Sequence, residues 1–162
     1  MTLATLNLAG RPFQLRRASE SDVGLIIELI ARDQLRASVE SNAPERRAPY
    51  LAAFRAIDAD PAQLLCVVDS PEGAVVATMQ LTFIPGLARS GALRLQIEAV
   101  RVDGNLRGNG LGSAMIAWAI EEGRRRGAAL VQLTSDNSRV DAHRFYERLG
   151  FAQSHAGFKL LL

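Results

Sequence analysis

The architecture of this chain turns on Val100-Arg101-Val102-Asp103-Gly104-Asn105-Leu106-Arg107-Gly108-Asn109-Gly110-Leu111-Gly112, where an apolar strand pattern runs through a glycine-rich turn into a helix. Such a junction aims unpaired backbone N–H groups and the positive end of a helix at one spot, which is an anion site. Gly108, Gly110 and Gly112 carry no Cβ to hold an anion at a distance. The Gly-x-Gly-x-Gly pattern alone is a weak signal. It lacks the Gly-Lys-Ser/Thr ending of a P-loop, which disfavours nucleoside-triphosphate hydrolysis. It also follows a late strand, with no βαβ unit and no acidic residue about 20 positions on, which disfavours a Rossmann dinucleotide site.

Downstream, residues 111–126 read as a helix with Leu111, Met115, Trp118 and Glu122 near one side and Gly127 as its stop. Residues 129–134 read as a strand. Residues 140–149 read as a helix with Ala142, Phe145, Tyr146 and Leu149 at i, i+3, i+4 and i+7, ended by Gly150. Residues 151–153 and 158–162 are predicted to close the sheet as a pair of strands.

Upstream, residues 93–102 form a long strand pattern, preceded by a loop from Pro85-Gly86 through Gly91. Residues 64–68 are an apolar run, and Asp69-Ser70-Pro71-Glu72-Gly73 is turn chemistry that returns the chain into 74–84 as a hairpin. Near the start, residues 13–17 alternate like a strand. Ser19-Glu20-Ser21-Asp22 then offers caps for a helix whose stripe is Val23, Ile26, Ile27 and Ile30. Between 33 and 49 the pattern weakens, and a short second helix is predicted over 50–57. The order β-α-α-β-β-β-α-β-α-β-β predicts one α+β domain over 1–162, a mixed sheet with helices on both faces.

Composition agrees with one compact domain: 162 residues, 48% of them hydrophobic and 22% charged. Nineteen Lys and Arg against seventeen Asp and Glu leave a formal charge of only +2, which gives no nucleic-acid prediction. The basic run Arg124-Arg125-Arg126 falls at a helix end, where cations complement the dipole. A single Cys66 in an apolar strand reads as packing, and no Cys/His cluster has metal-site spacing. No apolar run reaches the roughly 18 residues of a membrane span, and no signal core follows a basic N-terminus. A cytoplasmic, metal-free protein is the expectation.

Arg107-x-x-Gly110-x-Gly112 resembles the Arg/Gln-x-x-Gly-x-Gly/Ala pyrophosphate loop of the GCN5-related N-acetyltransferase (GNAT) family. Ala142-His143-Arg144-Phe145-Tyr146-Glu147-Arg148-Leu149-Gly150-Phe151 is similar to that family's second signature, Ala-x-x-Phe-Tyr-x-x-Leu-Gly-Phe. The two lie in the family's order and spacing, and its N-terminal strand and helix fit residues 13–31. The resemblance implies a mixed, mostly antiparallel sheet of six to seven strands, about four helices, and a splayed strand pair that takes the cofactor. It implies acetyl-CoA as co-substrate, no metal, and direct attack by an amine in a ternary complex.

By the same resemblance, Val100, Arg101, Val102, Arg107, Gly108, Asn109, Gly110, Leu111, Gly112, Ser113 and Tyr146 bind the cofactor. The strand around Val100–Val102 parts from its neighbour after Leu133, and a freed backbone N–H meets the developing oxyanion. One departure is Arg139, where relatives often carry Asn three residues before the alanine; Asn137 is the nearby amide for that contact.

Amine acetylation also needs a base and a proton for the thiolate. Glu98, two residues before Val100, is expected on the face of Val100 and Val102 by the period of two, where its carboxylate is a candidate base. The bland alternative pairs Glu98 with Arg94 or Arg101. Gln96 shares that face but, as an amide, is no base. Tyr146 stands where the family's tyrosine nears the CoA sulfur, and a phenol can protonate a thiolate. Its bland reading is core packing, as it is for Trp118; His143 and His155 read as structural or surface residues.

A non-catalytic acyl-CoA-binding module is the competing reading. The acceptor, a small amine or a protein amine, is expected to be chosen by residues 33–57 and 83–94. The apolar end Leu160-Leu161-Leu162 leaves a homodimer open.

Overall fold

The computed structural model describes residues 1–32 and 40–162. A six-stranded sheet runs in the order β1 (Thr2–Leu8), β2 (Arg11–Arg17), β3 (Gln63–Asp69), β4 (Val75–Ile84), β5 (Leu93–Val102) and β6 (Ala128–Gln132). All neighbours are antiparallel except β5 and β6, which are parallel. Helices α1 (Val23–Ala31) and α2 (Arg47–Ala59) lie between β2 and β3, and a short turn, α3 (Ala88–Gly91), joins β4 to β5. Helix α4 (Leu111–Arg125) makes the β5–β6 crossover, and α5 (Val140–Arg148) follows β6.

The two faces of the sheet are buried separately. On one, Leu15, Cys66, Met79, Leu81, Leu95 and Ile97 pack against Leu111, Met115, Ile116 and Ala119 of α4. On the other, Val67 and Ala18 pack under Val23, Ile26 and Ile27 of α1 and Phe54 of α2. The expected α1 stripe is this buried face. Helix α2 begins before 50 because Pro49 sits within its first turn, where a missing N–H is tolerated. At the far end of α4, the buried Glu122 accepts from Arg125 at 2.7 Å and from Arg126 at 2.6 Å, so the basic run closes onto its own helix.

The strand count is within the expected range, but its members differ. Strand β1 is an addition: Ala9 and Gly10, at φ 48° and 78°, turn Thr2–Leu8 back onto β2 as a hairpin. The predicted closing strands at 151–153 and 158–162 are absent from the sheet. Phe158 and Leu160 are 94% and 85% exposed. Alternating apolar residues suit a strand but do not supply the edge and covered face that hold one.

Asp22 anchors the start of α1. Its carboxylate accepts from the Ser19 N–H and hydroxyl, both at 2.7 Å, and from two nitrogens of Arg16, which also bonds Asp69. Burial alone would raise the Asp22 pKa, but the hydrogen bonds from Arg16 and Ser19 outweigh it and hold the group at about 2. Stability from this lowered pKa is therefore present above the ordinary carboxylate range and is lost as pH falls through about 2. The expected size is about 2 kcal/mol. Thermal melting between pH 5 and pH 2 checks this, and Asp22→Asn should flatten the acid limb.

Candidate functional site

Strand β5 and the loop behind it build the site. Pairing of β5 with β6 ends at Gln96 opposite Gln132, while β5 continues to Val102. From Glu98 onward β5 therefore has no strand on its far side, and the two chains part. Past Val102, Asp103 Oδ1 accepts from Asn105 N at 3.0 Å and caps a single turn, Gly104–Leu106. Arg32 at the end of α1 pairs with Asp103 at 2.5 Å, which ties α1 to this turn.

The glycine loop has the geometry of an anion cradle. Gly108 and Gly110 have φ 81° and 84°, a region that only glycine enters without strain. Gly110 caps α4, and a Cβ there would lie 3.8 Å from Leu8 on β1. Among the described residues, no backbone acceptor takes the N–H of Gly108, Gly110, Leu111, Gly112 or Ser113. Those groups and the positive end of a 15-residue helix converge where a diphosphate would sit. Arg107 and Asn109 are exposed beside it.

Helix α5 is brought to the same place by packing: the Phe145 ring lies 3.5 Å from where a Gly112 Cβ would stand, with Val102 at 3.9 Å. Tyr146 is half-buried, edge-on to Phe145 at 5.1 Å and to Phe151 at 5.9 Å. Burial pushes its phenol above the ordinary value, against the opposing pull of Arg101 and Arg139. The hydroxyl thus keeps its proton at neutral pH. His143 Nε2 donates to the Asp136 carbonyl at 2.9 Å. Asn137 is exposed.

Strand β5 carries a correction. Between the pairs Gln80–Glu98 and Thr78–Arg101, β4 has one residue and β5 has two, so Ala99, at φ 51°, lies in a bulge. The extra residue reverses the alternation. Val100 and Val102 pack into the core on the α4 side, whereas Glu98 faces the α1 side in register with Gln80. Glu98 is not on the face of Val100 and Val102 as the period of two predicts. It is exposed and has no hydrogen bond or ion pair among the described residues, so neither Arg94 nor Arg101 holds it.

Around Glu98 lies a polar floor that periodicity did not single out. Gln80 Nε2 and Thr82 Oγ1 both donate to Gln63 Oε1, at 3.1 and 2.8 Å, and Gln132 Nε2 donates to Gln96 Oε1 at 2.7 Å. Of the 83–94 segment expected beside the acceptor, the 85–92 connection lies at the other end of β5, roughly 17 Å of extended strand from Glu98. Of the other expected acceptor segment, residues 33–39 lie outside the described residues. Cys66 is fully buried, and burial pushes its thiol up to about 12, so it is packing.

A family model described as "Acetyltransferase (GNAT) family" matches residues 27–151. Over 63 residues, 39% of this chain, the sequence is 46% identical to aminoalkylphosphonate N-acetyltransferase of Salmonella typhimurium, covering 41% of that protein. Over 81 residues, half of this chain, it is 38% identical to glucosamine 6-phosphate N-acetyltransferase of Trypanosoma brucei brucei, covering 53% of it. The matches thus span about half the length of these curated relatives or less. The crystal structure of a transcriptional regulator from Bacillus halodurans C-125 is 39% identical, with a TM-score of 0.88 over 93% of this chain and 99% of that one.

Proposed function

The chain belongs to the acetyltransferase (GNAT) family, and we propose that it is an N-acetyltransferase, a single domain carrying acetyl from acetyl-CoA to a primary amine. The observation that carries this reading is the cradle of backbone N–H groups at Gly108–Ser113, opening onto the gap between β5 and β6. Glycines without Cβ atoms, convergent N–H groups and exposed Arg107 suit a diphosphate. The gap suits a narrow pantetheine arm, flanked by Val100 and Val102 on the α4 side. Both curated relatives are named for amines bearing a phosphate or phosphonate, which supports a small amine acceptor.

In this mechanism Glu98 accepts a proton from the acceptor ammonium on the α1 side of the sheet, directly or through water. The freed amine attacks the thioester carbonyl, forming the C–N bond, and a β5 N–H at the divergence from β6 stabilises the oxyanion. As the C–S bond breaks, Tyr146 gives its phenolic proton to the thiolate, and the second proton shed by the attacking nitrogen as it becomes an amide returns to the phenolate through solvent. No metal enters these steps.

The competing reading, a binding module without turnover, draws support from the named regulator that shares this fold. Calorimetry with acetyl-CoA tests the cradle, and thiol release across a panel of amines separates enzyme from module. Tyr146→Phe is expected to lose ten- to a hundredfold in kcat with acetyl-CoA affinity and Tm little changed, because the ring stays and only the oxygen goes. Full kcat at neutral and alkaline pH would leave Tyr146 as packing.

A further inference from the structure

We propose that Gln80 is a second receptor for the acceptor's amino nitrogen, beside Glu98, and that Gln63 is the residue that aims it; this rests on the acetyl-transfer reading above. Glu98 and Gln80 are direct partners across β5 and β4, on the same face. Side chains so placed have Cβ atoms about 5 Å apart, within reach of one small group. Glu98 has an exposed carboxylate with no partner among the described residues. The Gln80 amide is half-buried, and its orientation is fixed from behind.

That orientation follows from donor and acceptor counting. Gln63 Oε1 receives the Thr82 hydroxyl at 2.8 Å and the Gln80 NH2 at 3.1 Å. With its NH2 turned toward Gln63, Gln80 leaves its carbonyl oxygen for another donor. Gln80 and Glu98 therefore present two acceptors side by side at the point where β5 leaves β6. A primary amine that has lost one proton keeps two N–H bonds and one lone pair. Holding both N–H bonds, one on Glu98 and one on Gln80 Oε1, directs the lone pair at the carbonyl carbon, which is the orientation that attack requires.

This arrangement selects for a primary amine over a secondary amine or a hydroxyl, since each of those offers fewer N–H bonds to the pair. It also gives Gln63 a chemical requirement: its side chain must accept and has no need to donate.

The test measures steady-state kinetics with acetyl-CoA and two probes, aminomethylphosphonate and glucosamine 6-phosphate, within a wider panel of primary amines. Gln80→Met, which keeps the side chain's length, is expected to lower kcat/KM for the amine at least tenfold while acetyl-CoA Kd and Tm stay at wild-type values. Gln63→Met should reproduce that loss. Gln63→Glu, which can only accept, should keep kcat/KM within about threefold of wild type; a purely packing role predicts that the half-buried charge harms as much as methionine. Activity of Gln80→Met within twofold of wild type overturns the role of Gln80. Gln63→Glu as impaired as Gln63→Met overturns the aiming role. A wild-type chain that acetylates no amine while binding acetyl-CoA would remove the acetyl-transfer reading itself, a result distinct from either.

Discussion

Glu98→Gln is expected to lower kcat by roughly 10²-fold with acetyl-CoA affinity nearly unchanged, the size of effect a general base commonly contributes. The substitution preserves shape and removes only the ability to take a proton. Because Glu98 is exposed and makes no bond to any other described residue, little stability rides on it, and Tm should hold. The loss should shrink as pH rises, because solvent then deprotonates more of the acceptor ammonium before it binds. Stopped assays of thiol release between pH 6 and pH 10 read both quantities. Equal kcat and an unchanged pH profile would make Glu98 an ordinary surface carboxylate on a bulged strand.

Gly110→Val is expected to raise the acetyl-CoA dissociation constant at least tenfold, about 1.4 kcal/mol. Two causes act together. A branched side chain at φ 84° is strained whatever the space, so the loop shifts to relieve it. The added methyl groups also stand beside the N–H groups of Leu111, Gly112 and Ser113 that the diphosphate would use. Strain alone is separated by Gly127→Val, at φ 79° beyond the opposite end of α4. That variant should lose comparable stability while binding acetyl-CoA as wild type does. Calorimetry on both proteins decides the matter, and wild-type affinity in a folded Gly110→Val would remove the cradle as the CoA site.

The glycine loop and the Phe145-Tyr146 helix were legible in the sequence because their determinants are local. A φ near 80° favours glycine where it occurs, and a helix buries whatever recurs at three and four residues, so Gly110, Phe145 and Leu149 announce their positions without reference to distant chain. The α1 stripe of Val23, Ile26 and Ile27 was readable for the same reason. Strand β1 was not expected, because Leu6 and Leu8 around Asn7 make too short an alternation to mark a strand without its pairing to β2.

The side of the sheet on which Glu98 lies was decided elsewhere. Strand faces follow a period of two only while pairing is regular, and the extra residue at Ala99 is defined by its count against β4, a partner some 20 residues away in sequence. The same holds for Gln63, Gln80 and Thr82, which form one polar network only because β3 and β4 bring them into register. Residues 152–162 show the converse: Phe158, Leu160 and Leu162 alternate as a strand should, yet a strand also needs an edge and a covered face, and those belong to the tertiary structure. By itself the sequence determined the local geometry, the glycine loop and its two flanking helices. The pairing of distant strands decided which face carries Glu98, because a register is a relation between two segments and is written in neither alone.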